Sequence, residues 1–259
     1  MSSLTASIEG IGFWASGIPS WQAARDFAAG GALPADAPRR PSPQLLAPNE
    51  RRRAPETVAV ALEVALAACA AAGRDPVDLP SVFASTHGDL AITDYMCATL
   101  ADDPRAISPT KFHNSVHNAA AGYWTIGNGC MRTTTAISAH RATFAQGLLE
   151  AMTQLATDTA AVLLVGYDTA ATGLLSTVTH SEGLLGGALV LVRDGEGPRL
   201  SASLHDGEAP RADGPLSRRL QHNAMAPMLP LFEALAAGTG TATLPAGGGR
   251  RLALDLTRG

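Results

Sequence analysis

The chain has 259 residues, 46% of them hydrophobic and 16% charged, enough to bury a large core in one big domain or two small ones. Aromatic residues are only 5%, so that core must be packed from Ala, Val and Leu, which favours helices lying tightly on sheets. A formal net charge of −4 argues against nonspecific nucleic-acid binding, which needs a strong basic surplus.

Leu4 to Trp14 (LTASIEGIGFW) has short β-friendly stretches punctuated by glycine and reads as an opening strand with a bend. Ser20 to Arg53, rich in Pro, Arg and Ala, reads as a mostly irregular excursion. Pro55 starts a strong helical stretch, with Glu56 in its first turn, an Ala/Val/Leu run to Ala72 and Gly73 as its stop. Ser81 to Thr86 is a short buried strand, followed by a loop at HGD, and Ala91 to Ala101 fits a helix. Pro104 to His117 is loop-like, and the small residues of Asn118 to Ile126 suggest a helix. Arg132 to Ile137 (RTTTAI), rich in β-branched residues, predicts a strand, and Ser138 to Ala156 a long helix with apolar positions at three- and four-residue steps. Ala161 to Val165 is a continuous apolar run closed by Gly166, as in a strand covered on both faces. Gly183 to Arg193, Leu200 to Leu204 and Leu252 to Leu256 supply further strands, with a helix at Met225 to Ala237. Such alternation points to a layered α/β domain. Gly247 to Gly249 is a turn and not a phosphate loop, because neither a preceding strand nor a following GK[ST] helix frames it.

The three cysteines (Cys69, Cys97, Cys130) form no CxxC pair, as expected of reduced thiols in a cytoplasmic protein. MSSLTASIEG lacks a charged region followed by an apolar one, so no secretion signal is expected. The most apolar run, Val58 to Gly73, contains Glu63 and falls short of the ~20 residues a bilayer span needs, so no transmembrane segment is expected. His113 and His117 are four apart, but a metal site needs a third ligand and a helical context, and Pro109 with its polar loop argues against both. No metal or cofactor is expected.

The informative stretch is Ile107 to Glu150. A strand ending at Ala136-Ile137 runs straight into a helix beginning at Ser138. Side chains at such an elbow face the helix N-terminus, where free N–H groups stabilise an anion or a thiolate. Four segments occur here in order: Thr135-Ala136-Ile137-Ser138 at the elbow, Ser108-Pro109…Asn118…Ala121-Gly122 upstream, AAVLLVGYDT (Ala160 to Thr169) after it, and EGLLGGALVLVR (Glu182 to Arg193) beyond. Together they resemble the active-site segments of the β-ketoacyl synthases of the thiolase superfamily, over about Val58 to Arg193. The resemblance implies a thiolase-like layered α/β/α fold with a strongly shortened C-terminal half. Residues 1–195 are then the ketoacyl-synthase-like half, and 196–259 a truncated remnant packing on the same domain. PNERRRAP, around Arg51, Arg52 and Arg53, also resembles a segment of the short synthase-like subunits of aryl-polyene (xanthomonadin-like) pigment clusters.

Two departures from the family pattern decide what this resemblance implies. Where the family carries its nucleophilic cysteine stands Ile137, which cannot attack a thioester. Ser138 reads as the helix cap, and Cys130 sits upstream in a Gly-rich loop. The family's second-half His-Gly-Thr motif does not appear after Arg193; His205 precedes Asp-Gly, and His222 lies in QHNAMAP as a capping or surface histidine. The resemblance therefore implies a chain-length-factor-like subunit without a catalytic residue. Its partners are a cysteine-bearing β-ketoacyl synthase, as a heterodimer, and an acyl carrier protein. Phe112, Asn118, Trp124 and Ile137 are the implied acyl-channel residues. Ser115, Val116, His117, Arg132, Thr133, Thr134 and Thr135 are the implied partner interface. Arg51, Arg52 and Arg53 form a basic cluster, read either as a solvated face or as a docking surface for an acidic carrier protein. Two other readings stand beside this one: an independent acyl-thioester transferase or hydrolase using Ser138 or Cys130, and a plain carrier-protein binding module.

Overall fold

The computed structural model describes residues 3–157 and 159–259. The chain opens with strand β1 (Leu4–Ala15), bulged between Ile8 and Gly10 as its glycines suggest. Helices α1 (Trp21–Ala28) and α2 (Pro48–Arg53) follow, so the stretch from Ser20 to Arg53 is less irregular than its prolines imply. Ser20 caps α1 by accepting from the Ala23 N–H at 3.2 Å, and Pro48 occupies the first turn of α2, where a missing N–H costs nothing. Helix α3 (Glu56–Ala72) ends at Gly73 in a left-handed conformation, φ 63°, as anticipated. Strand β2 (Ser81–Ala84) leads to α4 (Leu90–Asp102), α5 (Pro109–Asn114) and α6 (Ala119–Asn128). The loop expected from Pro104 to His117 thus contains a helix: Ser108 caps it, and Pro109 starts it.

Strand β3 (Thr134–Ile137) is followed by a turn and then α7 (Thr143–Thr157), five residues later than the expected start at Ser138. His140 has φ 51°, the single positive value at a non-glycine among the described residues, so an α-helix cannot run through it, and a short 3₁₀ turn (His140–Ala142) precedes α7. Strands β4 (Ala161–Asp168), β5 (Leu185–Val192) and β6 (Arg199–Asp206) come next. Then α8 (Pro215–Leu220), α9 (Leu229–Ala237), β7 (Gly240–Gly247) and β8 (Arg250–Thr257) complete the chain. Residues 247–249, all at positive φ, close the β7–β8 hairpin.

The strands form one eight-stranded sheet in the order β3-β2-β4-β5-β1-β6-β8-β7. β3, β2 and β4 are parallel; every other neighbour is antiparallel. Residues 199–257 extend that same sheet, β6 pairing with β1. Every residue of β4 and β5 is buried, because helices cover both faces. One face carries Phe13, Phe144, Leu148, Met152 and Phe232; the other carries α3 with Phe83, Trp124 and Tyr167. Helix α3 lies directly on β1: a Cβ at Gly10 or Gly12 would overlap the carbonyl oxygens of Ala68 and Val64.

Candidate functional site

In α/β sheets, ligand-handling groups gather beyond the carboxyl ends of the parallel strands. Here those ends are Ser85–His87 after β2, Ile137–His140 after β3, and Asp168–Thr169 on β4. Asp168 is the hub. Its carboxylate accepts from the Ser85 hydroxyl at 2.8 Å, the Thr86 N–H at 3.0 Å and the His87 N–H at 3.4 Å. Burial pushes its carboxyl up to about 6, although the hydrogen bonds from Thr86, Ser85 and His87 act the other way. With its oxygens so engaged, Asp168 orders the loop after β2 and is not a free base.

Around this hub the two loops are tied together. The Ser138 hydroxyl donates to the Thr86 carbonyl at 2.9 Å, and the His117 Nε2 bonds the Ser85 carbonyl at 2.8 Å. His87 Nε2 lies 2.8 Å from the Thr179 hydroxyl. Burial, with the charge of nearby His140 second, pushes the His87 pKa down, which keeps its imidazole neutral near pH 7. From the second half, the Asn223 amide donates to the Glu182 carbonyl at 3.0 Å, and the Ser181 hydroxyl donates to Thr169 O at 2.6 Å. Asn223, rather than the exposed His222 beside it, is thus the residue of QHNAMAP built into the site's support.

Several sequence expectations are repositioned. Ser138 caps no helix; its hydroxyl is spent on Thr86, and Thr143 holds the turn instead, accepting from the Ala139 N–H at 2.9 Å and donating to the His140 carbonyl at 2.6 Å. Ile137 is the last residue of β3, half-buried against the Phe144 face of the core. Trp124 is fully buried against Phe83 on the opposite face, so it and Ile137 cannot line one space within this chain. Phe112 is exposed on α5, and Asn118 precedes α6 without capping it through its side chain. Cys130 is buried, its thiol directed at the Leu79 carbonyl at 3.6 Å, and Cys69 is pushed up to about 12 by burial, with Asp75 adding to it. Cys97 is exposed on α4.

Of the expected interface residues, Thr133 and Thr134 are exposed and Thr135 is half-buried, on or beside the outermost strand of the sheet; Arg132 pairs with Asp78 at 3.2 Å. Val116 is exposed and Ser115 half-buried just before α6. Arg52 and Arg53 are exposed on α2, whereas Arg51 is half-buried beside Glu63. The carboxyl of Glu63 is pushed up by burial, against the Ser42 N–H and the Arg51 charge. Among the described residues no group of three potential metal ligands occurs, and no helix is long and apolar enough to cross a membrane. Sequence reading missed His87, His140, Asp168 and Thr179. A polar residue closing the apolar run of β4 was the signal for Asp168; nothing local marks the others.

A three-layer α/β/α sheet whose parallel strands end at a strained strand-to-helix elbow defines the thiolase-like ketosynthase architecture. The chain belongs to the family described as β-ketoacyl synthase, N-terminal domain, whose profile matches residues 20–248. In fold it is similar to a ketosynthase in complex with its chain length factor from Xenorhabdus doucetiae: TM-score 0.77, 22% identity, covering 97% of this chain and 99% of that one. A type II PKS acyl-carrier protein in complex with its hexaketide-bound ketosynthase gives a TM-score of 0.75 at 13% identity over 99% and 100%. The ishigamide ketosynthase/chain length factor gives 0.74 at 15% identity over 98% and 100%. No curated protein matches the chain in sequence.

Proposed function

We propose that this chain is a non-catalytic, chain-length-factor-like subunit that pairs with a cysteine-bearing β-ketoacyl synthase. One observation carries the reading: the elbow between β3 and α7 presents Ile137, Ser138 and His140, and no sulfur. Claisen condensation on a thioester-bound acyl chain needs a nucleophile to hold that chain, and a hydrocarbon or an engaged hydroxyl does not supply one.

Pairing is supported by the β3 edge. The Ser81 and Ser85 N–H groups donate to the carbonyls of Thr133 and Ile137, so the backbone groups of Thr134 and Ala136 point away from β2, toward the open edge. Two exposed large apolar side chains, Ile126 and Met131, lie in the segment that leads into β3. They are 80% and 95% exposed. The similarity to chain length factors solved with their ketosynthases supports the same reading. In this role Phe112 and Ile137 face the shared acyl channel and limit the number of malonyl extensions, as in aryl-polyene-type synthesis of a polyunsaturated, carrier-bound chain. Arg52 and Arg53 steer an acidic carrier protein to the complex.

Co-expression with a cysteine-bearing synthase and sizing of the purified material test this. A one-to-one complex is expected. A chain that never captures a synthase, or that condenses malonyl units unaided, overturns the reading.

A further inference from the structure

Between β4 and β5 the chain passes through a segment that the fold holds by very little. None of residues 172–180 is buried; Gly173–Thr177 form a 3₁₀ turn, and Leu174 and Val178 are 83% and 80% exposed. At its start the Leu174 N–H donates to Asp94 on α4 at 3.3 Å. At its end Ser181 is buried, its hydroxyl donating to the Thr169 carbonyl and accepting from the Ala224 N–H at 3.1 Å. Between those anchors one hydrogen bond among the described residues reaches another element, the 2.8 Å bond between the Thr179 hydroxyl and His87 Nε2. The bonds from the Ser176 and Thr177 hydroxyls and from the Val178 and Thr179 N–H groups stay inside the segment.

The surroundings of His87 make that bond sensitive to protons. The titratable and charged groups of the elements around it are His140 and Arg141 of the elbow, Asp168 of β4, His117 ahead of α6, Asp89 and Asp94 at α4, and His180 next to Thr179. All three carboxylates are already engaged. Asp168 accepts from Ser85, Thr86 and the His87 N–H, Asp89 from Thr57 and Ile92, and Asp94 from Leu174. Among the described residues no ion pair involves a histidine. A positive His87 ring therefore stands half-buried near His140 with no anion to pair with, and burial first, then His140, pushes its pKa down.

We propose that His87 is a proton-operated latch on residues 172–180: the neutral ring holds Thr179 and fixes the segment, and the protonated ring releases it. A neutral Nε2 accepts from the Thr179 hydroxyl, whereas a protonated imidazole only donates. The cation gains water and distance from His140 by swinging out, and the one bond between the anchors goes with it. Because the latched form disfavours the proton, latching is complete above the ordinary histidine value of 6.5 and weakens as pH falls below it. Asp168 titrates in the opposite sense, its proton favouring the folded form, so an acid-induced loosening of this segment does not come from it. The latch belongs to this chain alone and does not depend on pairing with a synthase.

Hydrogen exchange of the full chain between about pH 5 and about pH 8, each amide corrected for its intrinsic rate, reads the latch at the Val178 and Thr179 N–H groups. Their protection is expected to fall as pH drops below about 6.5, by no more than about tenfold per pH unit, the limit for one proton. The amides of β4 and β5 are expected not to share that fall. His87→Gln, which cannot charge, is expected to abolish the pH dependence, and His140→Gln, which removes the neighbouring charge, to shrink it. Thr179→Val, which deletes the bond, leaves both amides weakly protected at every pH. Tm is measured alongside for each variant. A wild-type profile that is flat after correction, a fall that persists in His87→Gln, or a Thr179→Val segment as protected as wild type at the alkaline end overturns the proposal, and the first of these needs no variant to fold.

Discussion

The most informative perturbation is Asp168→Asn. Asp168 is almost wholly buried at the end of β4, and burial raises its pKa from the ordinary 3.8 to about 6. The folded state therefore holds this proton more tightly than the unfolded state does. The associated stability is complete below the unfolded pKa and is lost as pH rises through about 6. At 1.36 kcal/mol per pH unit the whole effect is about 3 kcal/mol, of which about 2 kcal/mol falls between pH 4 and pH 7. Asparagine keeps the shape and an acceptor for the Ser85 hydroxyl and the Thr86 and His87 N–H groups, but does not ionise. Urea unfolding of both proteins across this range is expected to show the variant gaining about 2 kcal/mol on wild type as pH rises. Asp168→Ala separates charge from structure: it strands those three donors and costs about 2 kcal/mol or more at every pH. Wild-type and Asn profiles that run parallel from pH 4 to pH 7 would refute the argument.

Three further tests address the scaffold, the interface and the elbow. Gly12→Ala puts a methyl into the Val64 carbonyl and is expected to destabilise by about 3 kcal/mol or more, whereas Gly122→Ala, open on all sides within α6, is expected to raise Tm slightly; thermal melts read both. Ala136→Pro removes an N–H on the open edge without touching the β2 ladder, so the chain is expected to keep its Tm but lose co-purification with a synthase. His140→Cys is expected to react with iodoacetamide at least about tenfold faster than Ile137→Cys, because the elbow thiol is exposed near the start of α7 and the strand thiol is half-buried; peptide mass spectrometry measures both rates, with Cys97 as the internal reference.

The layered fold was legible because its main strands are unambiguous. The run from Ala161 to Val165 is apolar on both faces, as a strand under two helix layers must be, and α3 announces its own end at Gly73. What escaped reading depends on contacts far apart in sequence. Pro245 and the flanking glycines hide β7, which exists because β8 pairs with it at the sheet edge, where a proline is tolerated. Similarly, Thr179 meets His87 across 92 residues, and Asp168 meets Ser85 across 83. No local pattern encodes such pairs. Trp124 is a different case: an aromatic in a motif suggested a channel wall, and α6 packs it against Phe83 in the core on the sheet face opposite Ile137.

The elbow itself separates scaffold from chemistry. A histidine at φ 51° costs of order 1–3 kcal/mol and persists only where its surroundings over-determine it. Those surroundings are visible: the Thr143 hydroxyl bonds both sides of the turn, Ser138 is anchored to Thr86, and the Ala142 N–H closes on the Ala139 carbonyl at 3.0 Å. None of these bonds involves the imidazole of His140. The turn is therefore held by its neighbours whatever side chain stands at 140. Under the proposed function, the β3 strand that leads into this turn is presented at the sheet edge. Relaxing the turn with His140→Gly tests the separation: thermal stability is expected to rise or hold, since glycine adopts this φ without penalty. A His140→Gly chain that loses stability outright would mean that the imidazole, and not its neighbours, holds the elbow.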